Sequence, residues 1–420
     1  MAQWRILSWN VETFGETKGS KAINFIGTVI HQYQANTVLF LETTKIGGGF
    51  VMHAMLNAFN LLPQWKPFGS EIAGKTFDMP PEVAYSKMYK SWRTNNWPYL
   101  ANCYNDDPAN LRIVLKPQQQ WQNISDTLMA LEYSGAERPD YETYNGLIKY
   151  DPLVSTNERY LVPGCYIGLQ PIFSHLESVD GQGQEIGYRN PQSIFNGRAP
   201  FMLQIVYANP ANINQNLHYF PLISFHAPFG QGGQAMEMRI QAINGLLRLN
   251  TRMDDGAFDD LQRAPRGIVS GDFNIDYTGP ANCDGLPAPI PNTASVSDRA
   301  YCPFSKNGFS ILMGEKSSLR RIGSADVPNA RANWLQSSDY LSNAYDNIMA
   351  KGELSNASED PQIVDLIQDI YDSQNTPGGN YLTGFIPVQI TSMYDAYNYY
   401  FVNISDHLPA LGNFEVRDRP

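Results

Sequence analysis

The chain has 420 residues, with 30 Lys and Arg against 41 Asp and Glu, a net charge of −11, and 43% hydrophobic and 12% aromatic residues. This composition excludes a disordered chain, and the absence of a basic field argues against a module that grips nucleic acid by bulk charge. A catalyst whose carboxylates hold cations remains compatible with it, and no apolar run approaches the roughly 20 residues that span a bilayer.

In chain order, residues 4–11 alternate as a strand. Ser20 then caps an amphipathic helix with Ile23, Ile26, Ile30 and Tyr33 on one face and its end near Gln34. Residues 37–41 form a continuous apolar run of the buried-strand kind, with Glu42 at its C-terminal end, where α/β enzymes place their chemistry. From about 45 to 155 the chain carries Trp65, Trp92, Trp97, Trp121 and a glutamine tract, too aromatic for a solvated linker, so a structured insertion is expected. Strand patterns return at 160–169, 201–207, 219–225 and 267–269, with a helix through Met236, Ile240, Ile243 and Leu247 between the last two. Residues 277 to about 292 read as loop, Pro361 as the opening of a helix through Ile363, Leu366, Ile367 and Ile370, and 408–416 as the last strand. Interleaved strands and helices with hairpin-linked strands predict a layered α/β sandwich, a mixed sheet pair flanked by helices. Cys103, Cys165, Cys283 and Cys302 lack CxxC spacing, which excludes a structural zinc site of that type; between disulfides and buried thiols, buried thiols are expected.

Several polar residues abut these strands in a suggestive order. Phosphodiester hydrolysis needs an activated water, neutralised nonbridging oxygens and a proton for the leaving oxygen. Asn10, Glu42, Asp272 and Asn274 offer hard oxygen ligands of the kind that suit Mg2+, Mn2+ or Ca2+. His226 and His407 offer two imidazoles able to act as base and acid near neutral pH. Singly, each has an ordinary explanation: a turn after a strand, a helix cap, a satisfied core histidine. Their joint occurrence beside strands points to one hydrolytic site.

Here the chain resembles the endonuclease/exonuclease/phosphatase superfamily, and within it the deoxyribonuclease I type. The resemblance is carried by Ser8-Trp9-Asn10-Val11-Glu12-Thr13-Phe14, Leu39-Phe40-Leu41-Glu42, Asn157-Glu158-Arg159-Tyr160, Asn196-Gly197-Arg198-Ala199-Pro200, Phe225-His226-Ala227-Pro228, Gly271-Asp272-Phe273-Asn274, Ala344-Tyr345-Asp346-Asn347 and Ser405-Asp406-His407-Leu408-Pro409. It implies one catalytic domain over 1–420, a four-layer sandwich of two packed mixed β-sheets flanked by helices, with long insertions at about 45–155, 277–340 and 352–395. It implies that Glu42 holds a divalent cation with Asn10 and with Asp406 or Asp272. His226, oriented by Glu158, and His407, oriented by Asp346 or Asp406, would share the acid and base roles. Asp272 and Asn274 would position the phosphate and the attacking water, and Arg198 would neutralise a phosphate oxygen. The implied activity is endonucleolytic cleavage of DNA to 5′-phosphate and 3′-hydroxyl ends, with Mg2+ as cation and Mn2+ or Ca2+ as alternatives.

The departures matter as much. The family has groove-contacting arginines where this chain has Glu12 and Thr44, and a DNA-contacting tyrosine where it has Thr156, so the duplex grip is weakened while the catalytic set is kept. Lys87, Lys90, Arg93 and the insertion tryptophans are candidates for a replacement grip, or simply the insertion's core. The family's structural disulfide is lost, since its positions are Tyr277 and Asn343 here, and the sequon Asn403-Ile404-Ser405 touches the site, where a glycan would obstruct it. With no signal-peptide core, the chain is expected to be cytoplasmic or an effector exported without a classical signal. Retained chemistry with an altered rim leaves RNA, a phospholipid head group, an inositol phosphate or a signalling nucleotide as alternative substrates. A scaffold without catalysis would be expected to have lost a ligand or a histidine, and none is missing.

Overall fold

A computed structural model describes residues 2–14, 19–35, 37–43, 66–69, 110–115, 153–154, 160–163, 177–179, 185–188, 200–208, 218–228, 230, 232–253, 258–277, 283–333, 337–355 and 357–416. Two mixed sheets dominate. The first has the order β16 (Ala357–Ile363), β17 (Ala410–Val416), β1 (Ala2–Phe14), β2 (Thr37–Thr43), β4 (Asn110–Leu115), β3 (Lys66–Gly69). The second runs β14 (Phe309–Ile311), β15 (Asp346–Lys351), β13 (Gly267–Asp272), β10 (His218–His226), β9 (Phe201–Ala208), β6 (Tyr160–Pro163), β5 (Leu153–Val154). Two small ribbons, β7 (Glu177–Val179) with β8 (Glu185–Tyr188) and β11 (Asn250–Arg252) with β12 (Phe258–Asp260), stand apart from both sheets.

Strand alternation decides what each sheet buries. On β1, Leu7, Trp9 and Val11 pack with Phe25, Ile26, Val29 and Ile30 of α1 (Gly19–Gln32), the helix expected from the sequence. On β10, β13 and β15, Ile223, Phe225, Val269 and Met349 pack instead against α2 (Gly233–Gly245) and α3 (Val296–Lys306). The opposite rows face each other between the sheets: Trp4 meets Phe220 edge-on with ring centroids 6.4 Å apart and lies against Phe414. The result is helix, sheet, sheet, helix, an α/β sandwich. Core side chains such as Phe25 and Ile26 are fully enclosed, and truncating one costs about 2–5 kcal/mol.

The short helices α4 (Val327–Asn333) and α5 (Ser337–Tyr340) precede β15, and α6 (Leu366–Asn375) and α7 (Met393–Asn403) complete the layer over the first sheet. Pro361 does not open a helix. It lies in β16, an edge strand, where the register with β17 slips between Glu359 and Gln362, a bulge that tolerates a residue without an N–H. The helix begins at Leu366 behind Asp365, whose carboxylate caps Gln368 N–H at 3.1 Å. Of the strand expected over 160–169, only Tyr160–Pro163 lies within the described residues.

The expectation of buried thiols also fails at one pair, because Cys283 and Cys302 form a disulfide with Cα atoms 5.1 Å apart, tying the loop after β13 to α3. Cys103 and Cys165 lie outside the described residues. Such a bond persists in oxidising surroundings. Cys302→Ser, which opens a 19-residue separation, is expected to lower stability by about 3 kcal/mol. Thermal unfolding without reductant checks this, and an unchanged Tm would contradict it. Among the described residues no helix is long and apolar enough to cross a membrane.

Candidate active site

The inward rows end in polar residues at one end of the sandwich. On β1 the row Trp4, Ile6, Ser8 ends in Asn10; on β10 Phe220, Leu222, Ser224 ends in His226; on β13 Ile268 and Ser270 end in Asp272. Register then sets three of them abreast, because His226 pairs with Asp272 and Asp272 with Asp346 on the next strand. Gly271 permits this closeness, since a Cβ there would fall 1.8 Å from the Phe225 carbonyl oxygen. Asn10, His226, Asp272, Asp346 and His407 are all buried, and Glu42 is 28% exposed.

Backbone strain gathers at the same place. Among the described residues four non-glycines have positive φ, and three of them, Glu12 (36°), Glu42 (58°) and Asn274 (51°), line the site. Each costs roughly 1–3 kcal/mol and persists only where the surroundings enforce it. The enforcement is visible: Asn10 Oδ1 accepts the Glu12 N–H at 3.2 Å, and Asp272 Oδ1 accepts the Asn274 N–H at 2.8 Å.

Asp272 Oδ2 is the hub of the cluster. Asn10 Nδ2 donates to it at 3.0 Å and to Glu42 Oε1 at 3.3 Å, so one amide bridges two carboxylates. His226 Nε2 and His407 Nε2 each stand 3.7 Å from the same oxygen, and His226 Nε2 is 3.6 Å from Glu42 Oε1. Burial and the Asp272 charge push the Glu42 carboxyl above its ordinary range.

His407 is fixed from behind. Its Nδ1 meets Asp346 Oδ2 at 2.6 Å, and the Asp346 N–H donates to Ser317 Oγ at 3.0 Å. Ser405 Oγ donates to the Asn10 carbonyl at 2.6 Å and accepts the His407 N–H at 3.0 Å, tying the histidine loop to β1. Tyr400 holds the His407 carbonyl at 2.6 Å and receives Trp9 Nε1 at 3.1 Å. Burial alone would depress the His407 imidazole, but Asp346 and Asp272 outweigh it and hold its pKa well above the usual value. Asp406, 25% exposed, lies 4.0 Å from His407 Nε2.

The ligand set for a divalent cation fits hard-oxygen chemistry. Asp272, Asp346 and His407 offer ligand atoms within 4.8 Å of one another, but using His407 Nδ1 would break its bond to Asp346. Glu42, Asp272 and Asp406 line the same cleft without that conflict, and only a neutral amide now separates the first two charges. Asn10 presents nitrogen to them, so an oxygen ligand from Asn10 requires turning the amide and giving up the Glu12 N–H.

One residue with no signal in the sequence belongs to the assembly. Arg239, buried on α2, donates from Nη1 to the Asn274 carbonyl at 2.6 Å and from Nη2 to the Gly230 carbonyl, so it fastens the loops after β13 and β10 together. Arg239→Met is expected to lower kcat about 10–100-fold while the protein stays folded, as for other residues that hold site loops. Steady-state kinetics with a thermal melt checks it, and unchanged kcat would contradict it. Glu158, Arg198, Thr44, Thr156 and the Lys87, Lys90 and Arg93 group lie outside the described residues.

Fold and site together define a carboxylate and imidazole centre at the strand ends of an α/β sandwich. No family model and no curated protein matches the chain. Among solved structures it is similar to an AP endonuclease from Archaeoglobus fulgidus, at 10% identity over 98% of this chain and 100% of that one, with TM-score 0.41. It is likewise similar to TDP2 of D. rerio complexed with a single-stranded DNA product, at 11% identity over 99% and 100%, TM-score 0.40. A mannosyl-6-phosphatase from Bacteroides thetaiotaomicron aligns at 10% identity over 97% and 98%, TM-score 0.38.

Proposed function

We propose that the chain is a divalent-metal-dependent phosphodiesterase of the endonuclease/exonuclease/phosphatase superfamily, acting as an endonuclease that cuts DNA to 5′-phosphate and 3′-hydroxyl ends, with its catalytic domain spanning 1–420. The observation that carries this reading is the hub: two imidazole nitrogens at equal 3.7 Å distances from Asp272 Oδ2, beside a second carboxylate. In-line displacement at phosphorus needs one group to take a proton from water and another to give one to the departing oxygen. Two imidazoles converging on one carboxylate oxygen supply both, and Asp346 holds the His407 ring in the orientation that turns Nε2 toward the centre.

A bound divalent cation, Mg2+ in this reading, supplies charge neutralisation at the phosphate and polarises phosphorus. Glu42 and Asp272, with Asp406, would hold it. Asn274 lines the cleft with its N–H on the Asp272 carboxylate and its side-chain amide donating to the Ala227 carbonyl at 3.2 Å, and in this reading it positions a phosphate oxygen. The roles of Glu158 in orienting His226 and of Arg198 on a phosphate oxygen complete the proposal. DNA as substrate, and nucleic acid as the partner, rest on the sequence motifs. A panel of supercoiled plasmid, single-stranded DNA, RNA, sphingomyelin and inositol phosphates, each with Mg2+ or Mn2+, tests it. Plasmid nicking is expected; turnover confined to a lipid or inositol phosphate would move the assignment to that alternative.

A further inference from the structure

The active-site cleft, about 530 Å3, is lined by Glu12, Glu42, Asp272 and Asp406, and among the described residues Arg321 is its one fixed cation. Among the described residues, a phosphate-bearing substrate entering this cleft in a chain of net charge −11 meets carboxylates on several sides, and Arg321 is the exposed guanidinium that opposes them.

Arg321 sits on a rigid mount. Leu319 N–H donates to the Asp406 carbonyl at 2.7 Å, Leu408 N–H to the Ser317 carbonyl at 2.8 Å, and Arg320 N–H to the Tyr340 carbonyl at 2.8 Å. Ser318 forms a β-bridge with His407 itself, and Tyr397 OH donates to the Arg320 carbonyl at 2.7 Å. The backbone up to Arg321 is thus part of the wall that carries the catalytic histidine, while its side chain is 79% exposed. Across the mouth, Arg321 Nη2 meets Glu12 Oε1 at 3.9 Å. An exposed pair at that distance is worth little, so a phosphate oxygen can take the place of Glu12. Glu12 lies two residues beyond Asn10, its N–H turned back onto Asn10 Oδ1, so the Arg321 contact sits beside the catalytic end of β1.

We propose that Arg321 forms a second anion subsite at the cleft mouth, which binds a phosphate adjacent to the one being cleaved in place of its weak contact with Glu12. The inference rests on the phosphodiesterase reading and narrows its substrate class to chains with more than one phosphate. The guanidinium reads a phosphate through a bidentate fork that a lysine ammonium cannot reproduce.

The test compares TpT, TpTpT and bis(4-nitrophenyl) phosphate as substrates of the full chain with saturating Mn2+. Wild type is expected to prefer TpTpT over TpT, and Arg321→Ala to reduce that preference about tenfold, with Arg321→Lys intermediate. The slope of log kcat/KM against log salt for TpTpT is expected to become shallower in Arg321→Ala, because one charge contact to phosphate is lost. Glu12→Gln is expected to raise kcat/KM for TpTpT. An unchanged preference and slope in Arg321→Ala would overturn the subsite, as would an equal loss on all three substrates, which marks a structural role. A wild type inactive on all three would instead overturn the phosphodiesterase reading, and the subsite with it.

Discussion

His407→Gln is expected to slow phosphodiester hydrolysis by about 10³-fold, and Asp346→Asn by a comparable factor. The two belong to one device. The carboxylate 2.6 Å from Nδ1 fixes the ring and outweighs the burial that would otherwise discharge it. An asparagine there can present its NH2 to Nδ1, which favours the tautomer with Nε2 as the proton carrier in the wrong state for one of the two steps. Because the groups act in series, the double variant is expected to lose little more than either single one. Single-turnover kinetics with a circular-dichroism check of folding measures this. Additive losses would show that Asp346 does not act through His407, and activity within tenfold of wild type in His407→Gln would remove His407 from the chemistry.

The second large effect concerns the cation. Glu42 and His407 both have folded pKa values above their ordinary 4.5 and 6.5. Each therefore contributes stability in full below the ordinary value, and that contribution is lost as pH rises through the raised folded value. The metal-free protein is thus expected to lose stability from Glu42 as pH rises above about 4.5 and from His407 as pH rises above about 6.5. A divalent cation competes with the same protons, so the Tm gain from millimolar Mg2+ is expected to be larger at about pH 8 than at about pH 5. Glu42→Gln removes one of the two charges bridged by Asn10. It is expected to raise the metal-free Tm at about pH 8, to shrink the Mg2+-induced gain, and to cut activity by at least about 10²-fold. Equal Mg2+ gains in Glu42→Gln and wild type would show that the cation binds elsewhere.

Much of this site is legible in the sequence because period-two alternation places a strand's last inward residue at the edge of the core. Asn10, His226 and Asp272 each end such a row, and hydrophobic patterning locates the rows. The helix through Ile26 and Ile30 is legible for the same reason at period 3.6. Pro361 misleads because proline suits both a helix start and an edge-strand bulge, and only pairing with β17 decides between them. The Cys283–Cys302 bond is illegible because a separation of 19 residues says nothing about which loop folds back on which helix. Arg239 and Arg321 escape for a related reason. Their partners are backbone carbonyls and a carboxylate supplied by distant segments, and no local spacing encodes those contacts.

The most direct test of a cation-dependent phosphodiesterase centre built on Asp272 is nicking of supercoiled plasmid by wild type and Asp272→Asn, each with Mg2+ and with EDTA. Nicking by wild type with Mg2+ alone, abolished by EDTA and by the substitution in a folded protein, is the expected result. Nicking that survives EDTA, or that Asp272→Asn performs at the wild-type rate, would contradict it.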